Sequence, residues 1–206
     1  MYALVVNNSI TRVFPGPKGF EHNGNQYSPD IFYKWSKAEK EAIGLYEVTT
    51  DSTNYKDTKW YNNTNESFAF ANNTVTRSWG TATAKAHADT LWTQQDSDDG
   101  DLPDDKEVGD VKVEGLKTQL IRTIKQQAAG ILQDTDWYVV RKADAGTAVP
   151  SAITTHRAAV RTKAAEMETA ITNASDTPAL ETLYTYTEQE DGSFTRPLGE
   201  LPTLES

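Results

Sequence analysis

The chain has 206 residues, a formal charge of -10, 37% hydrophobic residues and a mean hydropathy of -0.64. That length can bury a real core in one large domain or two small ones, and no run of about 18 apolar residues is present to cross a membrane as a helix. The absence of cysteine excludes disulfides, thiolate nucleophiles and cysteine-held zinc.

The N-terminal half is punctuated like a β domain. Leu4-Val5-Val6 and Ile10-Thr11-Arg12-Val13-Phe14 flank Asn7-Asn8-Ser9, a hairpin signal, because asparagine tolerates the positive φ of tight turns. The opening apolar stretch is too short for a secretory signal and lacks its basic flank. The Asn-x-Ser/Thr triplets at Asn7, Asn62, Asn65, Asn72 and Asn173 are therefore expected as turn chemistry. Pro15-Gly16-Pro17 interrupts regular structure, and His22-Asn23-Gly24-Asn25 predicts a type I′ turn pairing Phe20-Glu21 with Gln26-Tyr27. Ser36-Lys37-Ala38-Glu39 is a capping box for a short helix that Gly44 stops. Leu45 to Thr50 then returns to strand.

Ala71-Asn72-Asn73-Thr74-Val75-Thr76-Arg77-Ser78-Trp79 repeats the pattern of Val6-Asn7-Asn8-Ser9-Ile10-Thr11-Arg12-Val13-Phe14. One pair of copies is no solenoid period; it predicts two hairpins of one type. Aromatics cluster at Trp60, Tyr61, Phe68, Phe70, Trp79 and Trp92. They suit a small sheet core, and equally a partner or glycan face on Trp60, Trp79 and Trp92.

Charge divides the chain. Residues 1–95 balance nine acids with nine bases, residues 96–110 hold eight acids against Lys106 alone, and residues 111–206 hold thirteen acids and ten bases. Such a chain lacks the basic face that nucleic acid needs. The acidic stretch, with Gly100, Pro103 and Gly109, predicts a solvated linker. Placing Gly100 at the glycine of an EF-hand loop puts Gln95 first and Lys106 twelfth, which fails at both ends.

The C-terminal half has helical spacing. Val113, Leu116, Leu120, Ile121, Ile124, Ala128, Ile131 and Leu132 predict a helix over 111–133. Thr135 is expected to cap a second, carrying Trp137, Val140 and Arg141 and ending near Gly146. Pro150-Ser151 opens a third, with Ile153, Arg157, Val160, Ala164, Met167 and Ile171 on one face. Thr177-Pro178 starts a last helix ending near Tyr184. The reading is therefore α+β: a β-rich module over 1–95, a linker over 96–110, a helical module over 111–187 and an extended arm over 188–206.

Little catalytic chemistry is visible. His22, His87 and His156 have no metal-ligand spacing, and no phosphate loop, nucleophile elbow or His-Glu-x-x-His occurs. No pair stands out among the thirty acids for glycoside hydrolysis. No enzyme, cofactor or metal site is expected.

Leu132 to Lys142, with Gly146-Thr147-Ala148-Val149-Pro150, Ile153, His156-Arg157 and Val160-Arg161, resembles a helical segment of tail-associated proteins of tailed bacteriophages. These include tail-fibre and fibre-assembly proteins, with similar chains among phages of marine cyanobacteria. Tyr2-Ala3-Leu4-Val5, Val13-Phe14-Pro15 and Thr195 to Gly199 are similar too. The resemblance implies a structural protein of the virion tail or baseplate, made in the host cytoplasm, a homo-oligomer binding other tail subunits, with a host receptor as a further partner. It brings no catalytic residues.

Read by its own residues, the block forms a helical hairpin. Trp137 and Val140 are expected to bury against Ile153 and Val160, with Arg141, Arg157 and Arg161 pairing with Asp134, Asp136 or Asp144. Trp137, Tyr138, Arg141, Arg157 and Arg161 are the expected docking residues. Neither heptads nor a β-helical period is present, so the chain is not a complete long fibre. An adaptor, an assembly chaperone and a carbohydrate-binding tip are the rival roles.

Overall fold

A computed structural model describes residues 1–204. The chain is α+β, strand-rich in its first half and helical in its second. Two compact units divide between Thr83 and Ala84.

Unit one holds β1 (Tyr2–Val6), β2 (Ser9–Phe14), β3 (Phe20–His22), β4 (Asn25–Tyr27), α1 (Ile31–Lys34), α2 (Lys37–Ala42), β5 (Leu45–Thr50), β6 (Tyr61–Asn62), β7 (Ser67–Ala71) and β8 (Thr74–Ser78). Five strands form one sheet in the order β2-β1-β5-β8-β7, with β5 and β8 parallel and the other pairs antiparallel. Both Asn-Asn hairpins form as expected. Asn7 and Asn8 have φ of 50° and 60°, and Asn72 and Asn73 have 49° and 56°, the doubly left-handed turn that matches strand twist. Each hairpin's arginine stacks on the aromatic two residues later: Arg12 lies 4.8 Å from the Phe14 ring centre and Arg77 lies 4.4 Å from that of Trp79. The edge strands β2 and β7 approach one another, so the sheet curls.

Alternation along β1 puts its two faces in two cores. Ala3 and Val5 join Val75, Ile10, Val13, Val48, Phe68 and Phe70 on one side. Tyr2, Leu4 and Val6 join Phe14, Phe20, Ile31, Phe32 and Leu45 on the other. Ile10 and Val13 share a face although three residues apart, because Thr11 is bulged out between the partners of Val5 and Leu4. The β3–β4 hairpin has the expected register, Phe20 opposite Tyr27 and Glu21 opposite Gln26. The Ser36–Glu39 capping box is present. Gly44, at φ 80°, passes so close to Val5 that an added Cβ would lie 2.4 Å from the Val5 carbonyl oxygen. Helix α1 was not expected; with four residues it is too short to show a helical period.

Unit two holds β9 (Thr83–Ala84), β10 (Thr90–Leu91), α3 (Gln94–Asp98), β11 (Val111–Val113), α4 (Leu116–Gln133), α5 (Asp136–Ala145), α6 (Ser151–Asn173), α7 (Thr177–Tyr184), β12 (Thr187–Glu188) and β13 (Phe194–Thr195), with β9 crossing the division by one residue. Helices α4 and α6 pack along their length. The buried residues Leu116, Leu120, Ile124 and Ala128 lie on α4, and Ile153, Val160, Ala164, Met167 and Ile171 on α6.

Three expectations change here. The helix proposed over 111–133 begins at Leu116, because alternating Val111-Lys112-Val113 pairs with β10 and Gly115 follows. Asp89 supplies the cap that Gly115 lacks, accepting from the Gly115 amide at 2.7 Å and from the Thr118 hydroxyl at 2.8 Å. The acidic segment is a folded lobe rather than a linker. Thr93 and Asp96 form a capping box, Asp96 pairs with Lys112, and the Trp92 amide donates to Asp110 while that of Gly109 donates to Trp92. The arm over 188–206 is also partly packed: β12 pairs with β13, and Leu198 is buried with its amide on the Leu183 carbonyl.

Candidate protein-contact surface

The turn from α4 to α5 is built around one arginine. Arg157, buried on α6, donates through Nη1 to the Leu132 carbonyl and the Thr135 hydroxyl, both at 2.7 Å, and through Nη2 to Asp136 Oδ1 at 2.8 Å. Thr135, also buried, donates its own hydroxyl to the Leu132 carbonyl at 3.0 Å. Its side chain therefore closes the end of α4 and does not cap α5 as expected. The guanidinium adds a charged donor to a carbonyl in the last turn of one helix and fixes the first residue of the next. Of the three arginines expected at this rim, only Arg157 finds an acid among the described residues. Arg161 reaches the Arg157 carbonyl, at 3.5 Å, and Arg141 turns to aromatic rings.

Thus anchored, α5 carries no buried residue. Trp137 is 51% exposed, Val139 44% and Val140 64%. This corrects the expectation that Trp137 and Val140 bury against Ile153 and Val160, whose face of α6 is taken by α4. The reason is angular. Trp137, Tyr138, Val139 and Val140 are consecutive, and at about 100° per residue they point around most of the helix. No single partner within the chain can cover them.

Trp137 and Tyr138 stack with ring centres 3.9 Å apart, and the Arg141 guanidinium lies 4.5 Å from the first and 5.4 Å from the second. Arg141 Nε is shielded from solvent and has no acceptor among the described residues. The expected docking residues thus split by role. Trp137, Tyr138 and Arg141 are gathered at the surface, Arg157 is the buried fastener beneath them, and Arg161 stands exposed on α6. Hydropathy spacing missed Val139, and would find it only by asking which apolar residues a 10-residue helix must leave uncovered.

The three tryptophans proposed as a partner or glycan face differ in what they expose. Trp60 is 3% exposed and offers no ring to a ligand. Trp79 is half-buried between Tyr55, 4.7 Å away, and Arg77. Trp92 belongs to the other unit and has Lys112 Nζ 4.3 Å from its ring centre. Lys112 and Thr93 also hold the Asp96 carboxyl down to about 2. Among the described residues no group of three histidines or acids could hold a metal ion, and no helix is long and apolar enough to cross a membrane.

One cleft of about 470 Å³ opens beside this turn. Gly130, Ile131, Asp134, Met167, Arg196 and Leu201 line it. A Cβ added at Gly130 would meet nothing within 4 Å. No family model, no curated protein and no solved structure matches this chain.

Proposed function

We propose that this chain is a non-enzymatic structural component of a bacteriophage tail or baseplate, a short fibre or fibre-adaptor protein that works through protein–protein contacts. The observation that carries the reading is α5. It is fixed at its root by Arg157, yet leaves Trp137, Val139 and Val140 uncovered, and it lies inside the segment whose sequence resembles phage tail proteins. Trp, Tyr and Arg are the residues that dominate binding energy in protein contacts. A helix rigidly held but apolar outward is suited to being buried by a neighbour.

Quantitative mass spectrometry of gradient-purified phage particles tests the assignment. A fixed stoichiometry of several copies per particle supports a virion role. Abundance in the infected lysate with absence from the particles would replace it by an assembly chaperone. Within that experiment, Trp137→Ala with Val140→Ser should lower incorporation of a correctly folded chain.

A further inference from the structure

Unit two carries two surfaces of opposite chemistry. On α5, Arg141 and Lys142 meet no carboxylate among the described residues, and beside them stand Trp137 and Val140. Helical spacing puts Trp137, Val140, Arg141 and, at the last turn, Asp144 on one side. The lobe over 90–113 is the reverse. Of its eight acids in 96–110, only Asp96 reaches a cation among the described residues, Lys112; Asp98, Asp99 and Asp110 accept hydrogen bonds from Gln94, Gln95 and the Glu107 amide, and all seven others are exposed. The lobe is apolar as well: Leu91, Val108, Val111 and Val113 are all exposed, Val113 by 59%. Each surface thus lacks what the other supplies, a cation with apolar flanks on one side and carboxylates with apolar flanks on the other.

We propose that α5 of one copy docks on the acidic lobe of a second copy, head to tail. The inference rests on the reading of α5 as a contact surface but makes the partner a second copy of this chain. Two different surfaces joined this way leave one α5 and one lobe free at the ends of any open assembly. A head-to-tail contact of this kind builds rings or rows, which suits the rotational symmetry of a tail. Both surfaces are already folded in the free chain, which lowers the ordering cost: α5 is tied at its root by Arg157, and the lobe by the Asp96–Lys112 pair and the Thr93 cap.

Salt distinguishes this contact from plain apolar association. A chain of charge -10 repels itself, so apolar self-association would strengthen as salt screens that repulsion. A contact between Arg141 or Lys142 and the lobe would weaken.

The test is sedimentation velocity on the full chain at about 100 μM, a concentration that populates even a weak contact. Species larger than the monomer are expected at about 0.05 M salt, returning to monomer near 1 M, where the screening length falls to about 3 Å. Arg141→Glu with Lys142→Glu should abolish them, and so should Asp104→Lys with Asp105→Lys. An equimolar mixture of the two variants should recover them, because each copy then finds a complementary surface. Val140→Asp, at an exposed side chain that takes no part in the Trp137–Tyr138–Arg141 stack, should give the same loss with an unchanged circular dichroism spectrum. A wild-type chain that stays monomeric in low salt overturns the proposal. So does a mixture that fails to recover, or a lobe variant that assembles like wild type. Failure here leaves a different subunit to cover α5 and the tail assignment intact. Absence from particles would remove that assignment without touching the exchange result.

Discussion

Helices α5 and α6 are neighbours in sequence and opposites in fate. Helix α6 has 23 residues, and seven of them are buried along one face. Helix α5 has 10 and buries none. Total apolar content does not separate them, since α5 offers Trp137, Tyr138, Val139 and Val140 within one turn. Spacing separates them. On α6 the apolar residues recur at Ile153, Val160, Ala164, Met167 and Ile171, a stripe that one partner helix can cover. On α5 they are adjacent and splay. Burial is decided by whether apolar side chains share a direction, and a short helix with consecutive ones holds them ready for an outside partner.

The largest loss is expected at the core of α6. Met167→Ala removes a side chain packed at 1% exposure and should cost about 3 kcal/mol in chemical denaturation. Arg157→Met keeps the bulk but leaves the Leu132 carbonyl and Thr135 hydroxyl without their shared donor. It should cost about 2 kcal/mol and free α5 at its root, read as faster amide exchange over 136–145. Gly130→Ala runs the other way. The glycine sits inside α4 at no special φ with open space beyond it, so alanine should stabilise the chain by about 1 kcal/mol. A loss there would mean that some neighbour not seen in the isolated chain needs the gap.

A pH experiment sharpens the contrast with the acidic lobe. The Asp96 carboxyl is lowered from 3.8 to about 2 by Lys112 and Thr93. Its depressed value means that its contribution is complete above pH about 4 and is lost as the pH falls towards 2. Amide protection at Thr93 and Asp96 should fall in that window, and Asp96→Asn should flatten the dependence. The smallest expected effect belongs to α5 itself. Trp137→Ala with Val140→Ser should move stability by no more than about 0.5 kcal/mol, since neither side chain is buried. A loss of several kcal/mol would show that these residues hold the fold and not a partner.

Short-range signals were legible wherever one residue type can meet the geometric demand. Asn7-Asn8, Asn72-Asn73 and Asn23-Gly24 turned as read, because few residues accept positive φ cheaply. The Ser36 box and the burial stripe of α6 also followed from local rules. The arginine stacked on its aromatic in both hairpins was hidden in the repeat Thr-Arg-x-aromatic and could have been drawn from it. The parallel pairing of β5 with β8 could not, since it depends on a connection of more than twenty residues.

The candidate surface was only half legible. The sequence pointed to Trp137, Tyr138 and Arg141 as contact residues and to a bond between Arg157 and a nearby acid. It also placed Trp137 and Val140 in the core, and treated the eight acids of 96–110 as a linker. Both errors have one cause. Periodicity says which residues could face a core, but competition for that core is settled between elements. Here the long stripe of α4, not α5, covers the α6 face. Likewise, a run of like charges says that a segment prefers water, not that it is unfolded. One well-placed lysine, Lys112, together with the Thr93 cap ties the acidic run into a lobe. Turn chemistry, capping and helical period were thus determined along the chain, where the interacting groups are a few residues apart. Which apolar surfaces stay uncovered was decided only by tertiary packing, because that outcome depends on which partner fits best.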